Sequence, residues 1–244
     1  MRSTLILGLI ALLISGCAAN SYIPPGAKAD LQAFAPPDIQ AGFAAKPTNP
    51  FPASIAVVRV QAPTYTNYYL RQRGGTYGSG RYSVILTKEA GEDSQLERVT
   101  KLRDVAGLVT INRMLLPQEL DGDKAIRGAA ARLQADLVFV YTFDTAFFDI
   151  DKAKPLTVIT LGLSPTRKIT ASTTCSALLM DTRTGYIYSA YEVTERAETY
   201  STSWGSRDSA DEARQNNEQL AFKKLIDEFT STWPKVLERH KKKG

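Results

Sequence analysis

The side chains most often used for catalysis are scarce in this sequence. Its only histidine is His240, close to the C-terminus, so a Ser-His-Asp or Cys-His arrangement inside a folded domain is excluded. Histidine-based zinc sites are excluded for the same reason. Cys-x-x-Cys, Gly-x-Ser-x-Gly and Gly-x-x-x-x-Gly-Lys, which are typical of redox, hydrolase and nucleotide sites, are also absent. We therefore expect no cofactor and no metal, and we do not expect an enzyme.

Aspartates are the remaining candidates for acid–base chemistry, because paired carboxylates can act without histidine. Asp144, Asp149 and Asp151 follow an apolar segment but lack the glycine and terminal glutamate of a calcium loop. We expect them in a solvated loop. Asp121 and Asp123 precede a helical pattern and suit its capping and dipole. A carboxylate-based hydrolase remains an alternative function.

One segment has the composition of a binding surface. Residues 65–81 place four tyrosines and three arginines between two predicted strands, with glycines that allow the chain to bend. Tyrosine and arginine are the residues that contribute most at protein interfaces, whereas long loops can also be mere connectors. The segment is either a partner-binding loop or a flexible connector. Its candidate residues are Tyr65, Tyr68, Tyr69, Arg71, Arg73, Tyr77 and Arg81.

The N-terminus has the pattern of an export signal. Residues 1–16 contain one basic residue, Arg2, and an apolar run of ten residues, and small residues precede Cys17. A spanning helix needs about twenty apolar residues, so a permanent transmembrane anchor is the weaker interpretation. Residues 13–17, Leu-Ile-Ser-Gly-Cys, resemble the bacterial lipobox.

The lipobox resemblance implies that the signal is removed before Cys17, that the cysteine sulfur is diacylated, and that the new amine is acylated as well. Several acyl chains anchor a protein stably, since each buried methylene contributes about 0.8 kcal/mol. Ala18, rather than an aspartate that resembles an inner-membrane retention signal, follows the cysteine. We therefore expect anchoring in the lipid bilayer, on the periplasmic face of the outer membrane.

Charge and cysteine content narrow the choice of partners. Without Arg2, the mature chain has 29 basic and 25 acidic residues, a net charge of +4. An exported protein of this mild charge meets envelope proteins or cell-wall components, and we expect no nucleic acid as partner.

Cys175 has no partner cysteine once Cys17 is acylated. We expect it to be a buried small residue on a strand.

Prolines divide the chain into parts. Seven of the twelve lie between Cys17 and Ser54, so this segment is expected to bury no core and to act as a tether. The following region is long enough for one domain with its own core. The predicted parts are a lipoprotein signal peptide (1–16), the acylated cysteine and tether (17–53), a single periplasmic domain (54–239) and a basic, solvated tail (240–244).

Hydrophobic patterns predict an α/β (α+β) fold, with a mixed β-sheet flanked by helices and a long C-terminal helix. Residues 137–141 are apolar throughout, which is typical of a central strand covered on both faces. Residues 170–180 and 186–194 should form two strands that pair across a turn at residues 181–185. The predicted strands are residues 55–60, 82–87, 105–114, 137–141, 156–163, 170–180 and 186–194.

Three helices are expected around this sheet. Ser94 and Glu97 form a capping box for the first. Ser209 and Glu212 can cap the last, and Pro234 should kink or restart it. Apolar spacing defines the core faces. They comprise Leu96, Val99 and Leu102 on the first helix, Ile126, Ala129, Ala130 and Leu133 on the second, and Phe222, Leu225, Ile226, Phe229, Trp233 and Val236 on the last.

Two stretches resemble a recurring pattern in bacterial envelope lipoproteins. Residues 129–141 (AAARLQADLVFVY) join a helix through Ala-Asp to an apolar strand, and residues 178–188 (LLMDTRTGYIY) contain Asp-x-x-Thr-Gly within a hairpin. This order is similar to the periplasmic domain of the curli secretion lipoprotein, the penicillin-binding-protein activator lipoproteins and the N-terminal domain of the Tol-Pal β-propeller protein. The rhombotarget lipoproteins are similar too, although this chain ends in HKKKG without the apolar helix of their sorting signal.

The resemblance implies a domain that acts by protein contact, as a non-catalytic binding, assembly or scaffold module. A subunit of a curli-type secretion channel is the other alternative. Such a subunit needs membrane hairpins with strands of about nine to eleven alternating residues. Residues 62–81 do not alternate, and residues 147–163 are interrupted by charges and Pro155. A pore is therefore the less favoured of the two.

Overall fold

The predicted fold class is confirmed by a computed structural model, which describes residues 28–34, 39–67, 70, 74–151, 167–201 and 206–240. A seven-stranded mixed sheet and a small two-stranded sheet combine with helices, the last of which is 35 residues long. Cys17, the predicted strand at 156–163 and the tail residues 241–244 lie outside the described residues. Within the described part of the chain, no helix has the length and apolarity needed to cross a bilayer.

The strands are β1 Ala53–Gln61, β2 Thr76–Tyr77, β3 Ser79–Gly80, β4 Ser83–Ile85, β5 Val105–Thr110, β6 Glu119–Leu120, β7 Leu137–Asp151, β8 Arg167–Asp181 and β9 Ile187–Ser201. The α-helices bounded within the described residues are α1 Ile39–Ala44, α2 Glu92–Thr100, α3 Asp123–Arg132 and α4 Ser206–His240. Short 3₁₀ helices occupy Leu31–Phe34 and Arg113–Leu115.

Strand β1 has three partners, and this creates a fork in the sheet. It runs parallel to β7 along one edge, with Ile55 opposite Leu137 and Arg59 opposite Tyr141. On its other edge, β5 pairs in parallel with residues 53–57 and β4 pairs antiparallel with residues 59–61. The two strands therefore diverge at Val58.

Strands β7, β8 and β9 form an antiparallel ribbon of three 15-residue strands. The predicted hairpin between β8 and β9 is confirmed, with the pairing extended to Arg167 and Ser201. Strand β7 is longer than expected, because it pairs with β8 as far as Asp151. The prediction that Asp144, Asp149 and Asp151 occupy a solvated loop is therefore wrong.

The core has two layers, one on each face of the sheet. Phe139 and Tyr141 of β7 belong to the layer under α4, and Val138 and Val140 belong to the layer under α3. Strand β7 is thus central and covered on both faces, as its apolar run at 137–141 predicts.

Helix α4 buries the predicted apolar face against β7, β8 and β9. Its start at Ser206 precedes the expected cap at Ser209, and the helix continues through Pro234 to His240 without restarting. The proline removes only one intrahelical donor, while its buried neighbours Trp233 and Val236 hold this part of the helix on the core. The buried residues of the predicted face are Phe222, Leu225, Ile226, Phe229, Trp233 and Val236.

Helix α2 begins earlier than its sequence suggests. Its N-cap is Gly91, at φ +64°, and the Ser94 hydroxyl lies inside the first turn, where it donates to the Gly91 carbonyl. The predicted capping box is therefore wrong. The start is instead set by the left-handed glycine and by Glu92 and Asp93, which favour the positive end of the helix dipole.

The predicted tether contributes to the folded domain from Lys28 onward. The Ala29 amide donates to Thr142 Oγ1 at 3.1 Å, and Phe34, 1% exposed, packs on Tyr82 with ring centroids 4.9 Å apart. These contacts correct the expectation that residues 17–53 bury no core. The reason is that Ala29, Ala33 and Phe34, although set among prolines, complete the apolar layer beside α3.

His240 also belongs to the domain, in contrast to the solvated tail expected at 240–244. It is the last residue of α4 and is buried, with its ring 4.9 Å from the Tyr188 ring and 5.6 Å from the Tyr186 ring. Burial lowers its pKa, with a smaller contribution from Arg239. The only histidine therefore serves as an aromatic packing group at the end of α4.

Candidate functional site

Tyr65, the first residue of the predicted binding loop, is part of the core. It is 5% exposed, and its hydroxyl accepts hydrogen bonds from Arg59 Nη2 and Asn67 Nδ2, both at 3.0 Å. The Asn67 side chain is itself buried and caps the backbone amide of Leu70 at 2.8 Å. Tyr65 is thus unavailable to a partner, which corrects its assignment as a binding residue.

The end of the same segment is also held by the domain. Tyr77 lies in β2, beside β4, and its hydroxyl donates to the Leu116 carbonyl at 3.2 Å. The exposed Arg81 forms an ion pair with Asp30 of the N-terminal segment. Of the candidate residues, only Arg81 is described as exposed. The remaining four, Tyr68, Tyr69, Arg71 and Arg73, lie outside the described residues.

A network of buried ions lies next to Tyr65. We call it the buried ion network, and it consists of Arg59, Glu89, Glu92, Asp211, Arg214 and Glu218.

Arg59 and Arg214 each bridge several carboxylates of the buried ion network. Arg59 contacts Glu92 and Glu218 at 3.4 Å each. Arg214 contacts Glu218 at 2.8 Å, Glu89 at 2.7 Å and Asp211 at 2.9 Å. The network therefore joins β1, α2 and α4 at the end of the domain where β1 meets the fork.

Burial shapes the protonation of this cluster. It disfavours the charged form of Arg59, but Tyr65, Glu218 and Glu92 outweigh this effect and raise the pKa of the guanidinium. Burial, reinforced by Glu218, raises the pKa of Tyr65 to about 12. Burial also raises the pKa of Glu92, against the opposing effect of Arg59. Arg59 thus remains charged and Tyr65 remains neutral.

The carboxylates of the buried ion network pair with its two arginines. Glu92 and Glu218 have fully buried side chains and are held by arginines. A carboxyl with a raised pKa is a group that could transfer protons, but its partners here are other parts of the fold. Among the described residues, no group of three or more His, Cys, Asp or Glu side chains is arranged to hold a metal ion.

Cys175 is free and fully buried in β8, as predicted. Burial raises the pKa of its thiol well above the ordinary value. Because the thiolate is the reactive form, this residue is a packing group rather than a nucleophile.

A cavity of about 240 Å³ opens at the fork between β4 and β5. We call it the fork cavity. Its walls include Val58 of β1, Leu86 just after β4 and Ile111 just after β5, and Arg59 of the buried ion network lines it as well. The cavity therefore borders both the sheet and the buried ion network, and it opens to solvent.

Asp121 and Asp123 lie at the start of α3, where the sequence places them. Gly122 is the N-cap and no side chain caps this helix, so Asp121 does not act as the cap. Asp123 is the first helical residue and pairs with Arg127 at 2.6 Å. Its contribution is therefore to the helix dipole and to an i,i+4 ion pair.

Strand β9 provides the longest open edge in the described part of the chain. It pairs with β8 on one side, and no described strand pairs with its other side. Helix α4 covers one face of the ribbon, whereas Glu192, Thr194, Arg196 and Glu198 are exposed on the opposite face. An open strand edge carries main-chain donors and acceptors that can pair with another chain.

Comparison with known proteins does not assign a family. No known protein family and no curated protein matches the sequence. Among solved structures, the chain is similar to a neuraminyllactose-binding hemagglutinin homolog from Helicobacter pylori, with 13% identity, a TM-score of 0.37, and 81% of this chain and 90% of that chain covered.

Two further structures show a likeness of the same order. A Xanthomonas campestris protein of family DUF330 has 10% identity and a TM-score of 0.39, with 79% of this chain and 94% of that chain covered. A hypothetical protein from Chlamydia trachomatis has 12% identity and a TM-score of 0.30, with 77% and 99% covered. At these identities and scores, the likenesses assign neither family nor function.

Proposed function

We propose that this protein is a lipid-anchored envelope lipoprotein that acts as a non-catalytic protein-binding module on the periplasmic face of the outer membrane. The observation that carries the binding role is the open edge of β9, which is 15 residues long. Edges of this length are normally paired, shortened or covered, because they attract other strands. An extended segment of an envelope protein is the partner that such an edge fits.

The lipid anchor follows from Cys17 at the end of a short export signal. Residues 17–27 are the eleven residues between the start of the proposed mature chain and Lys28, the first residue that the structure describes. A fully extended chain of that length reaches at most about 40 Å. The proposed anchor therefore keeps the domain close to the bilayer, closer than a tether of residues 17–53 would.

Charge indicates which segments would suit the edge. Strand β9 has three glutamates and only one arginine, in a chain whose net charge is +5. Opposite charges on directly facing residues of paired strands are favourable, and like charges are not. We therefore propose a partner segment with lysine or arginine at alternating positions.

Photo-crosslinking in cells tests this proposal. A photoreactive residue at the exposed Thr194 of β9 should form an adduct with an envelope protein, and one at the exposed Lys101 should not. Mass spectrometry of the adduct should locate the crosslink in an extended segment that contains lysine or arginine. The double substitution Glu192→Lys and Glu198→Lys should remove the adduct, because both charges lie on the exposed face of the strand.

Absence of an adduct at Thr194 would contradict the proposal. So would an adduct that survives the double charge reversal, or one that forms equally at Lys101. Circular dichroism of each variant should be unchanged, since all four positions are exposed.

A further inference from the structure

The fork cavity lies where parallel sheets commonly bind ligands. Strands β5, β1 and β7 are parallel neighbours, and the cavity opens beside residues 57–59 of β1 and residues 110–112 at the end of β5. Thr110 is the last residue of β5, and the parallel pairing of β1 ends at Val57 with β5 and at Arg59 with β7. In open α/β sheets, ligands bind outside the carboxyl ends, where neighbouring strands diverge.

The walls of the fork cavity combine apolar and cationic side chains. Val57, Val84 and Ile111 supply buried apolar surface. Lys88 and Arg113 supply positive charge, and the described residues that line the cavity include no aspartate or glutamate. A ligand that fits these walls has an apolar part and a negative charge.

Arg59 provides an unused donor at this cavity. It is 3% exposed, and its Nη atoms contact Glu92, Glu218 and Tyr65, but its buried Nε has no hydrogen-bond partner among the described residues. A buried donor without an acceptor costs about 1–3 kcal/mol, and more when it is charged. A ligand oxygen in the cavity would satisfy this donor.

The surrounding charges favour one negative charge on the ligand. The two arginines of the buried ion network face four carboxylates, so the network offers a ligand no surplus positive charge. One further negative charge is offset by the exposed Arg113, whose side chain lines the cavity. A second negative charge would have to face the glutamates without compensation. Lys88 adds little, because it already pairs with Asp93.

We propose that the fork cavity binds a small monocarboxylate with a short apolar tail. A volume of 240 Å³ equals about eight times the ~30 Å³ that a water molecule occupies in the liquid. This space suits the last residue of a peptide, with its terminal carboxylate, or a free short-chain acid. Both sources share the same chemistry, and this site is separate from the β9 edge.

Ligand-detected NMR on the detergent-solubilised full chain tests the proposal. The probes are isovalerate, the uncharged isoamyl alcohol and N-acetyl-leucine, which mimics a peptide C-terminus. Thr110→Trp should fill the cavity from an exposed position, and Arg113→Glu should reverse a charge at the cavity wall. The matched control is Arg103→Glu, because that side chain is 84% exposed and does not line the cavity.

Isovalerate should bind saturably and isoamyl alcohol should not. Thr110→Trp should weaken binding about tenfold or more, and Arg113→Glu about threefold to tenfold. Arg103→Glu should leave the affinity within about twofold of the unmodified chain. Tighter binding of N-acetyl-leucine than of isovalerate identifies a peptide C-terminus as the source, and the reverse order identifies a free acid.

The proposal is overturned if isovalerate shows no saturable binding, or if isoamyl alcohol binds as tightly. It is also overturned if binding survives Thr110→Trp, or if Arg103→Glu weakens it as much as Arg113→Glu. Failure of the crosslink at β9 would leave this site unaffected, so the two proposals are tested separately.

Discussion

At the scale of single residues, Asp181 shows how one carboxylate organises the start of the ribbon. It accepts backbone hydrogen bonds from Thr48, Arg183 and Thr184, and a further bond from the Tyr188 hydroxyl at 3.1 Å. Burial works to raise its pKa, but the hydrogen bonds from Thr48, Thr184 and Arg183 outweigh it and hold the pKa below 3.8. Asp181 therefore ties the N-terminal segment to the hairpin turn.

Replacing Asp181 by asparagine should lower the free energy of unfolding at pH 7 by about 2–4 kcal/mol, because several charge-assisted hydrogen bonds are lost. A depressed carboxyl pKa contributes stability above the unfolded pKa, near 3.9, and this contribution is lost as pH falls through the lower folded pKa. The difference between the two proteins should thus shrink below about pH 4. Urea denaturation at pH 7 and pH 3 measures it.

The control for this prediction is Asp93→Asn, because the Asp93 side chain is 76% exposed and forms an ion pair with Lys88. Its effect should stay below about 1 kcal/mol. Equal losses for Asp181→Asn at both pH values would show that charge on this carboxylate does not matter.

Single residues also show what the sequence leaves undetermined. Arg59 stands within an apolar strand, and Arg214 and Glu218 have i,i+4 spacing on a helix. Neither pattern by itself indicates a buried ion network. Only the tertiary fold brings Arg59 of β1 to Glu218, which also pairs with Arg214, and such long-range pairings have no signature in local periodicity.

At the scale of elements, the N-terminal segment is more than a spacer. Its 3₁₀ helix Leu31–Phe34 buries Phe34, whereas α1 exposes Phe43 to 76%. These two phenylalanines lie nine positions apart in the same segment and differ sharply in burial, which makes them a useful pair for comparison.

Phe34→Ala should lower the free energy of unfolding by about 3–5 kcal/mol, since it removes a buried aromatic ring. Phe43→Ala should change it by less than about 0.5 kcal/mol, as for other exposed positions. Thermal or urea unfolding of the two variants provides the comparison. Equal, small effects would show that residues 28–34 do not pack on the domain and would restore the tether as first predicted.

Sequence patterns predict some elements well and others poorly, for physical reasons. The β8–β9 hairpin is visible because its turn residues Asp181 and Gly185 separate two runs of mostly apolar, aromatic and hydroxyl residues. The second half of β7 is not visible in the sequence, because residues 142–151 mix threonine, aspartate and phenylalanine. They form a strand only by pairing with β8. The fork at Val58 arises because β5 and β4 pair with different parts of the same edge of β1. No local sequence pattern encodes this arrangement.

At the scale of the whole molecule, the first described residue lies near strand β9. Lys28, the first described residue, has its ammonium group 4.0 Å from Glu192 of β9. Lys28 therefore contacts the exposed face of the strand whose edge we propose as the binding surface. A partner held there would lie within reach of the bilayer to which the proposed lipid attaches.

The central claim is that Cys17 anchors this protein through acyl chains, and metabolic labelling with a fatty acid tests it most directly. The two cysteines provide matched variants, because Cys175 is buried in β8 and Cys17 precedes the domain. Label should enter the unmodified chain and Cys175→Ala, and should be absent from Cys17→Ala, which should accumulate as an unprocessed precursor. Label that persists in Cys17→Ala would contradict the account.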